Sequence, residues 1–281
     1  MSRNNEDRMS GGTSKPDTGS PALAASLAPL EFVRPTSIVA LPSGGRFYPE
    51  GHPLHGQEEI EMRQMTTAEE DILMSRTLLK KGTAIDKFLA KLIDVHPSDL
   101  LLGDKNAILV QARIDGYGAE YVTNVQCPAC TARIKHSFDL SDYQLFAGED
   151  FSDVDGVTPT ERQTFIISLD NGWEVEVCAL NGHHEKAMSK ASAARQKNGM
   201  PEASIQEQLR NMIVSISGHT DNSTINKAIS HMTGKQSKHL REVYQRIIPN
   251  VDMKQEITCH ECYNTSEMEV PLTADFFWPR Q

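Results

Sequence analysis

The residues in this chain best placed to do chemistry are four thiols in two matched turns, Cys127-Pro128-Ala129-Cys130 and Cys259-His260-Glu261-Cys262. A CxxC turn lets two thiolates grip one metal ion. Structural zinc is tetrahedral with four protein ligands, the number two such turns supply. Four of the five cysteines sit in these turns, and their flanks repeat. Val125 and Ile257 lie two positions before each first cysteine, while Phe138 and Val270 follow each second cysteine by eight positions. Leu140 and Leu272 follow at ten, and Ser141 and Thr273 at eleven. Each half therefore reads as strand, knuckle, strand and a short Ser/Thr-led segment, and two facing halves make a zinc ribbon. The halves of a common ribbon lie about 15–20 residues apart. Here residues 131–258, 128 positions, intervene, so most of that stretch reads as an inserted domain.

The expected ligands are thus Cys127, Cys130, Cys259 and Cys262, and the expected ion is zinc. Four thiolates leave no open position for water or substrate, which makes such a site structural. The competing reading is a set of reduced core cysteines. A redox CxxC calls for a βαβ setting, whereas both knuckles here lie between strand-like runs. Disulfides are disfavoured by a low, odd cysteine count and the lack of a secretory signal, which fit a reducing cytosol.

The elements that must position these thiols are legible in part. Residues 1–35 are polar and rich in Gly, Ser and Pro, a composition expected to form a disordered tail; within it Ala22–Leu30 reads as a passive linker or a short docking segment. Residues 36–119 read as an extended arm and a helical region. Ser37–Leu41 and Ile60–Arg63 are strand-like, and Ser43-Gly44-Gly45-Arg46-Phe47-Tyr48-Pro49 reads as an arm or edge hairpin. A helix capped by Thr66 or Thr67, with Glu69 or Glu70 completing a capping box, is expected to run to Gly82 on a stripe of Ile72, Leu73, Leu78 and Leu79. A second starts at Thr83, with Ile85, Phe88, Leu89, Leu92 and Ile93 inward. A third is expected to start from an Asp104 cap and end at Gly116 or Gly118. This apolar cluster reads as core or as a partner-docking platform.

The two halves of the ribbon are placed at 120–145 and 250–281, around an inserted hairpin and helical domain at 146–249. Phe146–Thr160 reads as an acidic loop. Alternation on either side of Asn171-Gly172 predicts a hairpin over 163–179, with Cys178 a packing residue. Helices are expected over 184–197, 202–217, 223–232 and 236–248. The last carries Lys235, Lys238, Arg241 and Arg246, a solvated face or one for an acidic partner. His183-His184-Glu185 lacks HExxH spacing and reads as solvated. The aromatic Phe276-Phe277-Trp278 end either folds back on the ribbon or faces a neighbour. The fold class expected is α+β: a discontinuous zinc ribbon with a helical N-terminal region and an inserted β-hairpin plus helical domain.

With 38 acidic and 28 basic residues, the net charge of −10 opposes general nucleic-acid binding. No apolar run reaches the roughly 18–20 residues of a membrane span. There is no P-loop, no GxSxG elbow and no kinase motif set, so an enzyme is not expected.

The run LPSGGRFYPEGHPL, then EIEMRQMTTAEEDIL, LLKKGTAIDKFLAKLI and CPAC, resembles the baseplate hub assembly proteins of T-even-like, contractile-tailed bacteriophages. The likeness is best over 37–143 and returns at 257–276. It implies a non-enzymatic virion or assembly protein of the tail baseplate hub, present in host cytoplasm during assembly. Its implied partners are other hub and tail proteins, with no nucleic acid, membrane or small-molecule substrate. Only the four knuckle cysteines map onto the likeness; no catalytic residue does. The rival classes are a zinc-ribbon nucleic-acid or transcription-linked module, and an enzyme in which His260 or His136 replaces a cysteine ligand and opens the site.

Overall fold

A computed structural model describes residues 32–200, 204–271 and 274–277; most of the expected N-terminal tail, with Ala22–Leu30, lies outside them, as do Trp278 and Pro279. Strand β1 (Thr36–Ala40) pairs antiparallel with β2 (Glu59–Arg63), with Val39 opposite Ile60. The loop between them folds tightly. Gly45 has φ +71°, and a Cβ there would lie 2.4 Å from Gln57 N and 2.5 Å from Leu54 O, so only glycine fits.

Helix α1 (Thr67–Met74) starts in the capping box of Thr66 and Glu69, and Arg34 bonds the same glutamate at 2.8 Å. The helix stops at Ser75, which is extended and serves both as its C-cap and as the N-cap of α2 (Arg76–Lys80). The expected single helix to Gly82 is therefore two. Serine competes with the helical backbone and favours caps over interiors, and the break leaves Leu79 exposed. Helix α3 (Ala84–Leu92) buries Phe88, Leu89 and Leu92.

Helix α4 (Leu102–Tyr117) begins differently from expectation. Its N-cap is Leu101, with no side-chain cap bond, and Asp104 is fully buried in the first turn. The Asp104 carboxylate accepts from Ser43 N at 3.0 Å, Ser43 Oγ at 2.6 Å and Tyr48 Oη at 2.7 Å. Tyr48 Oη in turn accepts from Leu101 N at 3.1 Å. The β1–β2 loop thus caps α4 from 53 residues away. Burial pushes the Asp104 carboxyl up, against the pull of its three donors. Tyr48→Phe strands the Leu101 N–H and one bond of Asp104 in the core. It should lower unfolding free energy by about 1–3 kcal/mol, read as a lower denaturation midpoint with unchanged m-value.

Strands β3 (Glu120–Gln126) and β4 (Arg133–Asp139) form the first hairpin, followed by β5 (Gln144–Phe146). Next comes a four-stranded sheet in the order β6 (Val157–Pro159), β7 (Thr164–Ser168), β8 (Glu174–Cys178) and β9 (Ile213–Ile216). Helices α5 (Gly182–Lys197), α6 (Ser204–Met212), α7 (Asn222–His231) and α8 (Gly234–Ile247) accompany this sheet. Two expectations are corrected here. The acidic segment contributes a strand, β6. The helix expected to run to residue 217 ends at Met212, because Ile213-Val214-Ser215-Ile216 leaves it to pair with β8. That β-branched run suits the pleated edge of a sheet.

Strand β10 (Asn250–Asp252) pairs back on β5, and β11 (Lys254–Thr258) with β12 (Thr265–Glu269) forms the second hairpin. The core around β1–β4, α1, α3 and α4 also takes in β10, β11 and the 3-10 turn Ala274–Phe277; a second core fills the four-stranded sheet and its helices. Phe47 packs on both, its ring 5.3 Å from that of Phe165. The seam is tight, since a Cβ on Gly103 would lie 2.2 Å from Pro249 O. The apolar stripes of α1 and α3 are largely buried in the first core, while Met74 and Leu79 stay exposed.

Candidate metal centre

Each knuckle is built by the same backbone. In the first, Thr131 N donates to Cys127 O at 2.9 Å and Cys127 N to Ala132 O at 2.9 Å. In the second, Tyr263 N donates to Cys259 O at 2.9 Å and Cys259 N to Asn264 O at 3.0 Å. Thr131 and Tyr263, both one position past the second cysteine, share the left-handed region at φ 60° and 57°. The hairpin registers match too: Val125 faces Ile134, and at the same places Ile257 faces Ser266. The halves are two copies of one unit, legible in the sequence only as recurring flanks.

The copies face each other through their thiols. Cys127 Sγ lies 3.7 Å from Cys262 Sγ, and Cys130 Sγ lies 3.7 Å from Cys259 Sγ. All four sulfurs fall within 4.8 Å of one another. A tetrahedron with metal–sulfur bonds of about 2.3 Å has edges of about 3.8 Å, so the two cross-knuckle contacts at 3.7 Å match such an edge, and the four sulfurs lie close enough together to hold one metal ion. A disulfide needs sulfurs about 2.05 Å apart, and all five cysteines are free. The first cysteine of each knuckle is buried and the second exposed.

The electrostatics point the same way. The Cys127 thiol is drawn down to about 7, chiefly by the backbone N–H of Cys130 and also by that of Ala129. Cys262, drawn down by the Asn264 N–H but pushed up by the sulfurs of Cys130, Cys259 and Cys127, stands at about 12. Thiols this close oppose one another's ionisation, and a bound cation reverses that order.

Among the described residues the cluster holds four sulfurs and no imidazole. His136 instead packs edge-on against Phe138 at 4.6 Å. Cys178 lies in the second core's sheet, its thiol turned to Asn211 O at 3.8 Å. His184 completes a capping box with Asn181 at the start of α5, and His183 Nε2 lies 2.7 Å from Asp99. Phe276 and Phe277 fold back, edge-on to Tyr121 at 5.3 Å and Phe88 at 5.4 Å respectively.

Arg113, 1% exposed, carries a role that no local motif marks. Its guanidinium donates to Phe276 O at 2.8 Å, Gly118 O at 2.6 Å and Glu120 O at 3.0 Å. It thereby ties the end of α4, the start of β3 and the C-terminal 3-10 turn together. Its only sequence signal is a cation inside an apolar helical run.

Against this geometry, the family model described as T4 bacteriophage base plate protein matches residues 35–278, from the start of β1 to just beyond the C-terminal 3-10 turn. The chain belongs to this family. The match takes in both knuckles and everything between them, the four-stranded sheet of this baseplate protein included. No curated protein and no solved structure matches the chain. No helix among the described residues of this baseplate protein is long and apolar enough to cross a membrane.

Proposed function

We propose that this protein is a non-enzymatic structural and assembly component of the central hub of a phage tail baseplate. One zinc ion on Cys127, Cys130, Cys259 and Cys262 holds it together. The observation that carries the reading is the convergence of four thiols from knuckles far apart in sequence into a single cluster of sulfurs within 4.8 Å of one another. Four thiolates close the coordination sphere, so the ion supplies a cross-link between the two ends of the inserted domain and no catalytic position. The baseplate family supports tail proteins as partners. The acidic balance, −10 over the chain, weighs against a nucleic-acid ribbon.

The hub assignment is tested by cross-linking mass spectrometry on baseplate intermediates from infected cells. Cross-links from this chain to central hub subunits are the expected result; cross-links confined to peripheral baseplate proteins, or absence from the intermediates, would refute it.

A further inference from the structure

Residues 76–91 hold Arg76, Lys80, Lys81, Lys87 and Lys91 against a single acid, Asp86, in a chain whose net charge is −10. All five cations are exposed. None is in an ion pair with a described residue. The lone acid is turned elsewhere, held by Lys105 at 3.0 Å and Lys186 at 2.8 Å. Arg76 and Lys80 on α2, and Lys87 and Lys91 on α3, are each spaced i,i+4, which stacks like charges on one helical face. That arrangement works against the helix on its own. Two apolar side chains, Met74 at the end of α1 and Leu79 on α2, are exposed beside these charges.

We propose that α2 and the outer face of α3 dock an acidic segment of another baseplate protein. The partner's Asp and Glu side chains would lie over the lysines, with an apolar side chain against Met74 and Leu79. This deepens, and rests on, the reading of the chain as a baseplate component. An unpaired cationic face on an otherwise acidic protein is complementary to an acidic partner and steers its approach. The chemistry of the face favours protein over other polyanions. Its one aromatic, Phe88, is buried and offers no base a stacking platform. The apolar side of α3 is sealed in the core by Phe88, Leu89 and Leu92, so no broad apolar face is left to enter a lipid surface.

The test uses the full chain carrying Lys80→Glu, Lys81→Glu, Lys87→Glu and Lys91→Glu. These side chains are exposed and have no ion partner among the described residues, so the melting temperature should hold. Tagged wild type and variant are then followed into baseplate intermediates in infected cells. Wild type should enter, and the variant's incorporation should fall on the order of tenfold. Equal incorporation of both would overturn the docking face while leaving the baseplate role intact; absence of the wild type from the intermediates would overturn both. Fluorescence anisotropy with a labelled peptide of alternating Glu and Leu gives the direct reading. It should bind wild type, lose on the order of tenfold in affinity to the variant, and weaken with added salt. Variant-sensitive binding of a single-stranded oligonucleotide or of phosphatidylglycerol vesicles, with none of the peptide, would overturn the proposal.

Discussion

Cys259→Ser should strip the protein of its metal and unfold the core around the two hairpins. Purified wild type is expected to carry about one zinc per chain, with the four thiolates as ligands; the variant should carry none. The expected effect is large because binding a metal at this site would couple to folding. The ligands come from turns that neither half of the chain can bring together alone, so binding free energy is folding free energy. For structural zinc in small domains this is about 10–16 kcal/mol, comparable to the roughly 5–15 kcal/mol by which whole domains are stable. Cys127 and Cys259 are themselves core residues, so the loss reaches Val125, Ile257 and the aromatic side chains packed beyond them. Elemental mass spectrometry gives the metal content, and thermal unfolding with and without a chelator gives the stability. Cys178→Ser is the control: its half-buried thiol lies on β8, turned to Asn211 O at 3.8 Å and away from the four-sulfur cluster, and the metal should stay. Zinc retained by Cys259→Ser, or a wild-type melting temperature indifferent to chelation, would refute a ribbon closed by metal.

How far the sequence exposes this architecture depends on the range of the interaction. Local signals are faithful: the Thr66–Glu69 capping box, the Asn171-Gly172 turn and the Gly118 stop all act within a few residues. The recurring flanks of the knuckles work because a two-residue alternation fixes which side chains face inward, so Val125 and Ile257 carry the same message twice. What escapes is set by partners far along the chain. Asp104 reads as a cap because capping is the common local use of an Asp near a helix start. It is instead drawn inward by Ser43 and Tyr48, over sixty and over fifty positions away. Ile213–Ile216 continues a helical period until β8 offers it a ladder, and tertiary pairing then overrides the local pattern. The break at Ser75 is different in kind: it is local, a serine serving as a cap where the apolar pattern alone would continue the helix. The spacing of four cysteines proposes a set of ligands, but only the folded chain brings the sulfurs to 3.7 Å across the two knuckles.

Arg113→Ala should be the most damaging single change outside the cysteines. The guanidinium is buried and all three of its nitrogens donate to backbone carbonyls, of Phe276, Gly118 and Glu120, while its plane lies over the Tyr117 ring at 5.3 Å. No carboxylate is among these partners; carbonyl dipoles and the face of the Tyr117 ring hold the charge. Burial accordingly draws the guanidinium below its usual range. Truncation leaves three carbonyls short of a donor in or near the core and opens a void beneath Tyr117. Each stranded buried acceptor costs about 1–3 kcal/mol, and truncating a buried side chain of this size adds a cavity cost. A loss of about 3–5 kcal/mol in unfolding free energy is therefore expected, a large share of what a domain possesses. Arg113→Lys should recover only part of it, because an ammonium is a compact point charge and lacks the planar fork that reaches three separated carbonyls. The consequence extends to the metal. Arg113 joins the start of β3, which leads into the first knuckle, to Phe276, which follows the second, so it ties the two halves together through bonds separate from the sulfurs. Arg113→Ala should thus release its metal to a chelator faster than wild type at a temperature where both are folded. An Arg113→Ala protein that melts with wild type and keeps its metal as long would show that the sulfurs alone align the ribbon, and that the guanidinium merely fills the core.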